Sequence, residues 1–161
     1  MKTYLKGIDH IYLSVTDFQR SEAFYDLVME ALGLRKGDKA IAGEPHAHYV
    51  CPAFQLSIRP ARSTEPFDAY RSGLHHLCFQ AESPEAVDDC HRILAALGLS
   101  PTAPARYPEY NPEYYATFFE DPDGIRLEIV SRTSYRDQLA ERWEQLDRFL
   151  NPLQAPPADA T

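Results

Sequence analysis

Two stretches of the chain alternate apolar and polar residues in the same order. Gly7-Ile8-Asp9-His10-Ile11-Tyr12-Leu13-Ser14-Val15 and Gly73-Leu74-His75-His76-Leu77-Cys78-Phe79-Gln80-Ala81 each open on Gly, place a His at the fourth position and continue as a β-forming run. The offset between the two His is 66 residues (76 minus 10). Behind each strand the period turns helical. Asp17 offers an N-cap to a helix over Ser21 to Leu32, with Phe24, Leu27, Val28, Ala31 and Leu32 at helical spacing and Gly33 as its stop. Ser83, with Pro84 at the first helical position, opens a second helix that runs to Leu97. Its apolar face is Val87, Cys90, Ile93, Leu94 and Leu97, and Gly98 ends it. Ala-Leu-Gly-Leu occurs at 31–34 and again at 96–99, an offset of 65 (96 minus 31). Two echoes at nearly one offset predict a tandem duplication and a pseudo-symmetric fold.

Each half carries three further strand signals: Arg35–Ile41, His46–Cys51 and Phe54–Arg59 in the first, Ser100–Arg106, Tyr114–Glu120 and Ile125–Arg132 in the second. Asp121-Pro122-Asp123-Gly124 joins the last two as a type I turn with Gly in the left-handed region, which predicts a hairpin. The expectation is an α+β fold: two tandem βαβββ modules, 6–60 and 73–133, forming an open cup-shaped mixed barrel within one domain over 1–161. Residues 60–72 link the modules. Tyr135 to Leu150 predicts a C-terminal helix with Leu139, Trp143, Leu146 and Leu150 on one stripe, and 151–161 a flexible tail.

A formal net charge of −8 argues against nucleic acid and anionic membrane surfaces as partners. No apolar run approaches a membrane span, and the start lacks a signal-peptide core, so a cytoplasmic location is expected. Cys51, Cys78 and Cys90 are odd in number and form no Cys-x-x-Cys, which predicts reduced, mostly buried thiols.

His-bearing first strands in both halves, closing on Phe118-Phe119-Glu120-Asp121-Pro122-Asp123-Gly124-Ile125-Arg126-Leu127-Glu128-Ile129-Val130, resemble the vicinal oxygen chelate superfamily over about residues 6 to 133. That group includes glyoxalase I, extradiol dioxygenases, fosfomycin-resistance proteins, methylmalonyl-CoA epimerase and bleomycin-binding proteins. The resemblance implies a divalent metal (Fe, Mn, Zn or Ni) held in the cup by His10, His76 and Glu128. Aligning Leu56-Ser57-Ile58 with Leu127-Glu128-Ile129 puts Ser57 at the fourth ligand position, so three protein ligands are implied. Two imidazoles and one carboxylate leave coordination positions open to a chelating substrate oxygen. The function implied is a metal-dependent lyase or isomerase of the glyoxalase type, or a ring-cleaving dioxygenase, acting on a small molecule. The rival is an antibiotic-binding or antibiotic-modifying resistance protein using the same cup. Members often pair modules within or between chains, so a homodimer is expected.

Strand parity and the Gly-x-x-His match select His76 over His75, which should then face solvent or an interface. With Glu128 inward, Arg126 and Val130 share its face, and the hairpin places Phe118 opposite it. Tyr12, Tyr114, Phe118 and Arg126 are thus candidates for the substrate wall, or else for packing between modules. The Tyr-rich segment 107–115 fits either a loop closing over the site or a packed surface loop. His46 and His48 fit either a general acid or base or exposed side chains.

Overall fold

The computed structural model describes Leu5, residues 7–38 and residues 41–143. Strands β1 (His10–Val15), β2 (Arg35–Asp38), β3 (Ala47–Val50) and β4 (Gln55–Pro60) form one mixed sheet in the order β1-β4-β3-β2. Strands β5 (Leu77–Gln80), β6 (Ala105–Arg106), β7 (Tyr115–Glu120) and β8 (Arg126–Ser131) repeat that order as β5-β8-β7-β6. Helix α1 (Phe18–Ala31) follows β1, α2 (Pro84–Ala96) follows β5, and α3 (Thr133–Arg142) follows β8. The duplication is therefore real. Each module is βαβββ, with its first strand parallel to its fourth. Among the described residues the two sheets are separate ladders and do not close into a barrel.

The caps stand where the side chains dictate: the Asp17 carboxylate accepts the Arg20 amide, and the Ser83 hydroxyl accepts the Ala86 amide. Three expectations shift. The buried stripe of α1 is Ser21, Tyr25, Val28 and Met29, while Leu27 faces outward. Tyr25 turns inward because its hydroxyl has a buried partner, Asp121 at 2.9 Å. Strand β6 shrinks to two residues, since Pro101 and Pro104 have no amide hydrogen to give a ladder. The C-terminal helix begins at Thr133 rather than Tyr135. The expected positions Leu146 and Leu150, and the tail 151–161, lie outside the described residues. Among the described residues no helix is long and apolar enough to cross a membrane.

One face of each sheet packs on its helix, and a single apolar cluster runs through both modules, from Leu13 and Tyr25 through Ile58 and Leu94 to Leu127 and Ile129. Phe54 stacks on Phe79 across the modules at 5.8 Å. The Asp-Pro-Asp-Gly turn is the second tie. Gly124 takes φ 82°, its amide closing the turn on the Asp121 carbonyl at 3.0 Å. One oxygen of the Asp121 carboxylate accepts the Asp123 and Ile125 amides, and the other accepts Tyr25 of the first module. Asp123 in turn receives the Thr16 amide at 2.6 Å and the Arg20 guanidinium at 2.6 Å. The turn that ends the second hairpin thus locks onto the β1–α1 corner of the first module.

Candidate functional site

The opposite face of each sheet is left open, and there the polar residues gather. Glu128 lies mid-strand in β8, opposite Cys78 of β5 and Phe118 of β7. The predicted hairpin register, with Phe118 facing Glu128, therefore holds. Ala116, Phe118 and Val130 form a small second cluster on this face with Tyr107 and Tyr114. Glu128 is 2% exposed. The Tyr114 hydroxyl donates to its Oε1 at 2.5 Å, and His76 Nε2 stands 3.2 Å from its Oε2. Burial, and then donation to Glu128, hold the Tyr114 hydroxyl above the usual phenol range, so it remains a donor at any physiological pH.

Two neighbours depart from expectation. Cys78 is exposed rather than a core residue, because it shares the open face with Glu128. Desolvation of its thiol, reinforced by the Glu128 charge, pushes it up to about 12, which keeps it neutral. His75 is exposed, as expected, but stays at the cleft: its Nδ1 lies 2.7 Å from His76 Nδ1. Alternation fails here because β5 starts only at Leu77, so residues 75 and 76 are outside the pleat. With its Nε2 proton donated to the Glu128 carboxylate, His76 accepts from His75 at Nδ1.

These residues border a cleft of about 460 Å³, lined by His75, His76, Glu109, Tyr110, Tyr114, Phe118, Arg126, Glu128 and Arg132. Arg126 lies over the Phe118 ring at 4.2 Å, and Arg132 over the Tyr114 ring at 5.6 Å. The Tyr-rich segment is packed and also borders the cleft. Tyr107, Tyr110 and Tyr114 pack on one another, with ring centroids 5.2 to 6.3 Å apart, and Tyr110 and Tyr114 also wall the cleft. Arg132 was not singled out from the sequence. The two-residue period that placed Arg126, Glu128 and Val130 on one face reaches it in one more step.

The first module presents the same face with other residues. Tyr12 and His48 both pair with Ser57, as Cys78 and Phe118 pair with Glu128, so Ser57 is the structural counterpart of Glu128. His48 Nδ1 and Gln55 Nε2 each lie 2.8 Å from the Ser57 hydroxyl. His48 is buried, and its ring stacks on His46 at 6.0 Å. His10, about half exposed, bonds Asp9 at 2.8 Å, and its ring meets Tyr12 edge-on at 5.5 Å. Of the seven site residues expected, the chain thus brings together His76, Glu128, Tyr114, Phe118 and Arg126, and keeps His10 and Tyr12 on the other module's open face. Among the described residues no group of three or more His, Cys, Asp or Glu converges on one point where a cation could be held. The donors fit a first-row divalent ion in kind, one imidazole nitrogen and one carboxylate oxygen, but within one chain they number two.

The profile of the Glyoxalase/Bleomycin resistance protein/Dioxygenase superfamily matches residues 7–129. The chain belongs to this superfamily. Protein YqjT of Bacillus subtilis is 34% identical over 128 residues, covering 76% of this chain and 96% of that protein. The crystal structure of a glyoxylase/bleomycin resistance protein/dioxygenase domain from a Frankia species superposes with a TM-score of 0.63 at 27% identity, covering 79% of this chain and 98% of that one. At 20% identity the likeness is one of fold alone for a mutant of the fosfomycin resistance protein FosX from Listeria monocytogenes, complexed with Mn(II) and 1S,2S-dihydroxypropylphosphonic acid. Its TM-score is 0.61, over 83% of this chain and 97% of that one. The glyoxalase-superfamily match spans both open faces, from the strand of His10 to that of Glu128.

Proposed function

We propose that the protein is a metal-dependent enzyme acting on a small oxygen-chelating substrate, and that its ion is held by His76 and Glu128 of one chain with His10 of a second copy. The observation that carries this reading is the buried Glu128 carboxylate, 2% exposed, with an imidazole nitrogen 3.2 Å from it at the base of an open cleft. A carboxylate this deep needs a cationic or hydrogen-bonding partner. Among the described residues it has the Tyr114 hydroxyl, the His76 imidazole and the neutral Cys78 thiol beside it, with no Lys or Arg paired to it. The split of the donors favours a paired assembly. His10 is about half exposed and its neighbour Tyr12 is 40% exposed, so this part of the first module's open face is available to a second copy.

When bound, a divalent ion supplies Lewis acidity to a substrate oxygen. The chain's own residues do the rest. Tyr114 fixes the Glu128 carboxylate by donating to Oε1 and so directs Oε2 toward His76. His75 orients the His76 ring through the contact between their Nδ1 atoms. Phe118, Tyr110 and Tyr114 form an aromatic wall that limits water at the cleft base.

Manganese, the ion in the FosX complex, is the natural first probe. Chelator-stripped protein titrated calorimetrically with Mn²⁺, Zn²⁺ and Ni²⁺, and anaerobically with Fe²⁺, should take up at least one of them saturably, at one ion per chain. His10→Ala and His76→Ala should each abolish that uptake. Wild-type protein that binds none of the four, or a His10→Ala variant that binds as wild type does, contradicts the reading.

A further inference from the structure

The cleft holds two partly buried guanidinium groups without an ion pair among the described residues; Arg126 faces Glu120 across the ladder but does not pair with it. Four of the described arginines hold a carboxylate partner. Arg20 takes Asp123, Arg59 takes Glu44, Arg71 takes Glu65 and Arg92 takes Asp89. Arg35, Arg62, Arg106, Arg136 and Arg142 take none among the described residues and are exposed. Arg126 and Arg132 also take none, yet both are partly buried and both line the cleft. Instead each lies against an aromatic face, Phe118 for Arg126, Tyr114 and Tyr135 for Arg132. Stacking of this kind fixes the plane of a guanidinium and leaves its N–H edge free for a bidentate acceptor. The two carboxylates in the same cleft do not satisfy them. Glu128 is engaged by Tyr114 and His76, and Glu109 is an exposed loop residue with no ion pair among the described residues.

We propose that the cleft takes a small organic oxyanion, a carboxylate or a phosphonate carrying a second oxygen group. Arg126 and Arg132 hold its anionic end, and its second oxygen faces the His76–Glu128 pair. A volume of about 460 Å³ with aromatic walls suits a molecule of a few carbon atoms. A protein of net charge −8 has no long-range attraction for anions, so recognition must come from this local pair. The inference deepens the metal-enzyme reading of the same site, but the arginines act whether or not an ion is present.

The test uses metal-free full-length protein, with oxalate as the planar probe, methylphosphonate as the tetrahedral one and acetamide as a neutral control, followed by NMR and calorimetry. Oxalate or methylphosphonate should bind in the millimolar range or tighter, and acetamide should not. Arg126→Gln and Arg132→Gln should each weaken binding about tenfold or more. Arg126→Lys, which keeps the charge and loses the fork, should fall between, and Arg92→Gln on the surface should match wild type. Preference for one probe identifies the planar or the tetrahedral source. Binding that is equal in all variants, or absent both without and with Mn²⁺, overturns the proposal. Protein that takes the oxyanions through these arginines but no cation upholds it while refuting the metal reading; the reverse outcome refutes this inference alone.

Discussion

Glu128→Gln should weaken divalent-ion binding by about a hundredfold or more while leaving the fold intact. Partners one bond removed from a metal typically change affinity ten- to a hundredfold, so deletion of a ligand oxyanion should reach at least the upper figure. The amide keeps the shape of the side chain, and its carbonyl still accepts the Tyr114 hydroxyl that now lies 2.5 Å from Oε1. Removing a charge from a position only 2% exposed should leave the melting temperature of metal-free protein unchanged or raise it. Paired calorimetric titration and thermal melts measure both effects. A variant that binds ions as wild type does shows that Glu128 is a structural carboxylate, and a variant that does not fold shows that its charge is required by the apo protein.

Asp121→Ala should destabilise the chain by about 3 kcal/mol, lowering the melting temperature by roughly 10 °C. The carboxylate accepts the Asp123 and Ile125 amides at 2.9 and 2.8 Å and the fully buried Tyr25 hydroxyl at 2.9 Å. Alanine leaves all three donors unpaired and unties the hairpin from the first module. Asp121→Asn should cost far less, since its carbonyl can cap both amides and Tyr25 can turn to accept from its nitrogen. The two forms should also differ in pH dependence. Burial holds the Asp121 carboxyl above the usual aspartate range, so folding favours its protonated form. That contribution is complete below the ordinary aspartate value and fades as pH rises through the raised one. The Asn variant should lose this slope in melts taken from pH 3 to 7, and an unchanged slope would remove Asp121 as its source.

How much of this was legible in the sequence depended on whether a feature is set locally. The duplication, the caps at Asp17 and Ser83, the Asp-Pro-Asp-Gly hairpin and the register of Phe118 on Glu128 all follow from short-range rules of period and turn chemistry. So does the equivalence of Ser57 and Glu128, which rests on matching strand positions. What escaped depends on distant partners or on the edges of elements. Tyr25 turns inward because Asp121, 96 residues away, receives its hydroxyl. His75 shares the cleft because the strand begins at Leu77, three residues later than the apolar pattern that starts at Leu74 suggests. The separation of His10 from His76 and Glu128 follows from how the modules pack, which alternation along single strands does not encode.

That separation makes the central claim testable in one measurement. Differently tagged His10→Ala and Glu128→Gln chains can be refolded together and the mixed dimer isolated. Each parent homodimer lacks a ligand at both shared sites and should hold no metal. The mixed dimer rebuilds one site from the His10 of one chain and the His76 and Glu128 of the other, and elemental analysis should find one ion per dimer. A mixed dimer as empty as its parents, beside a wild type that holds two ions, would contradict a site shared between chains.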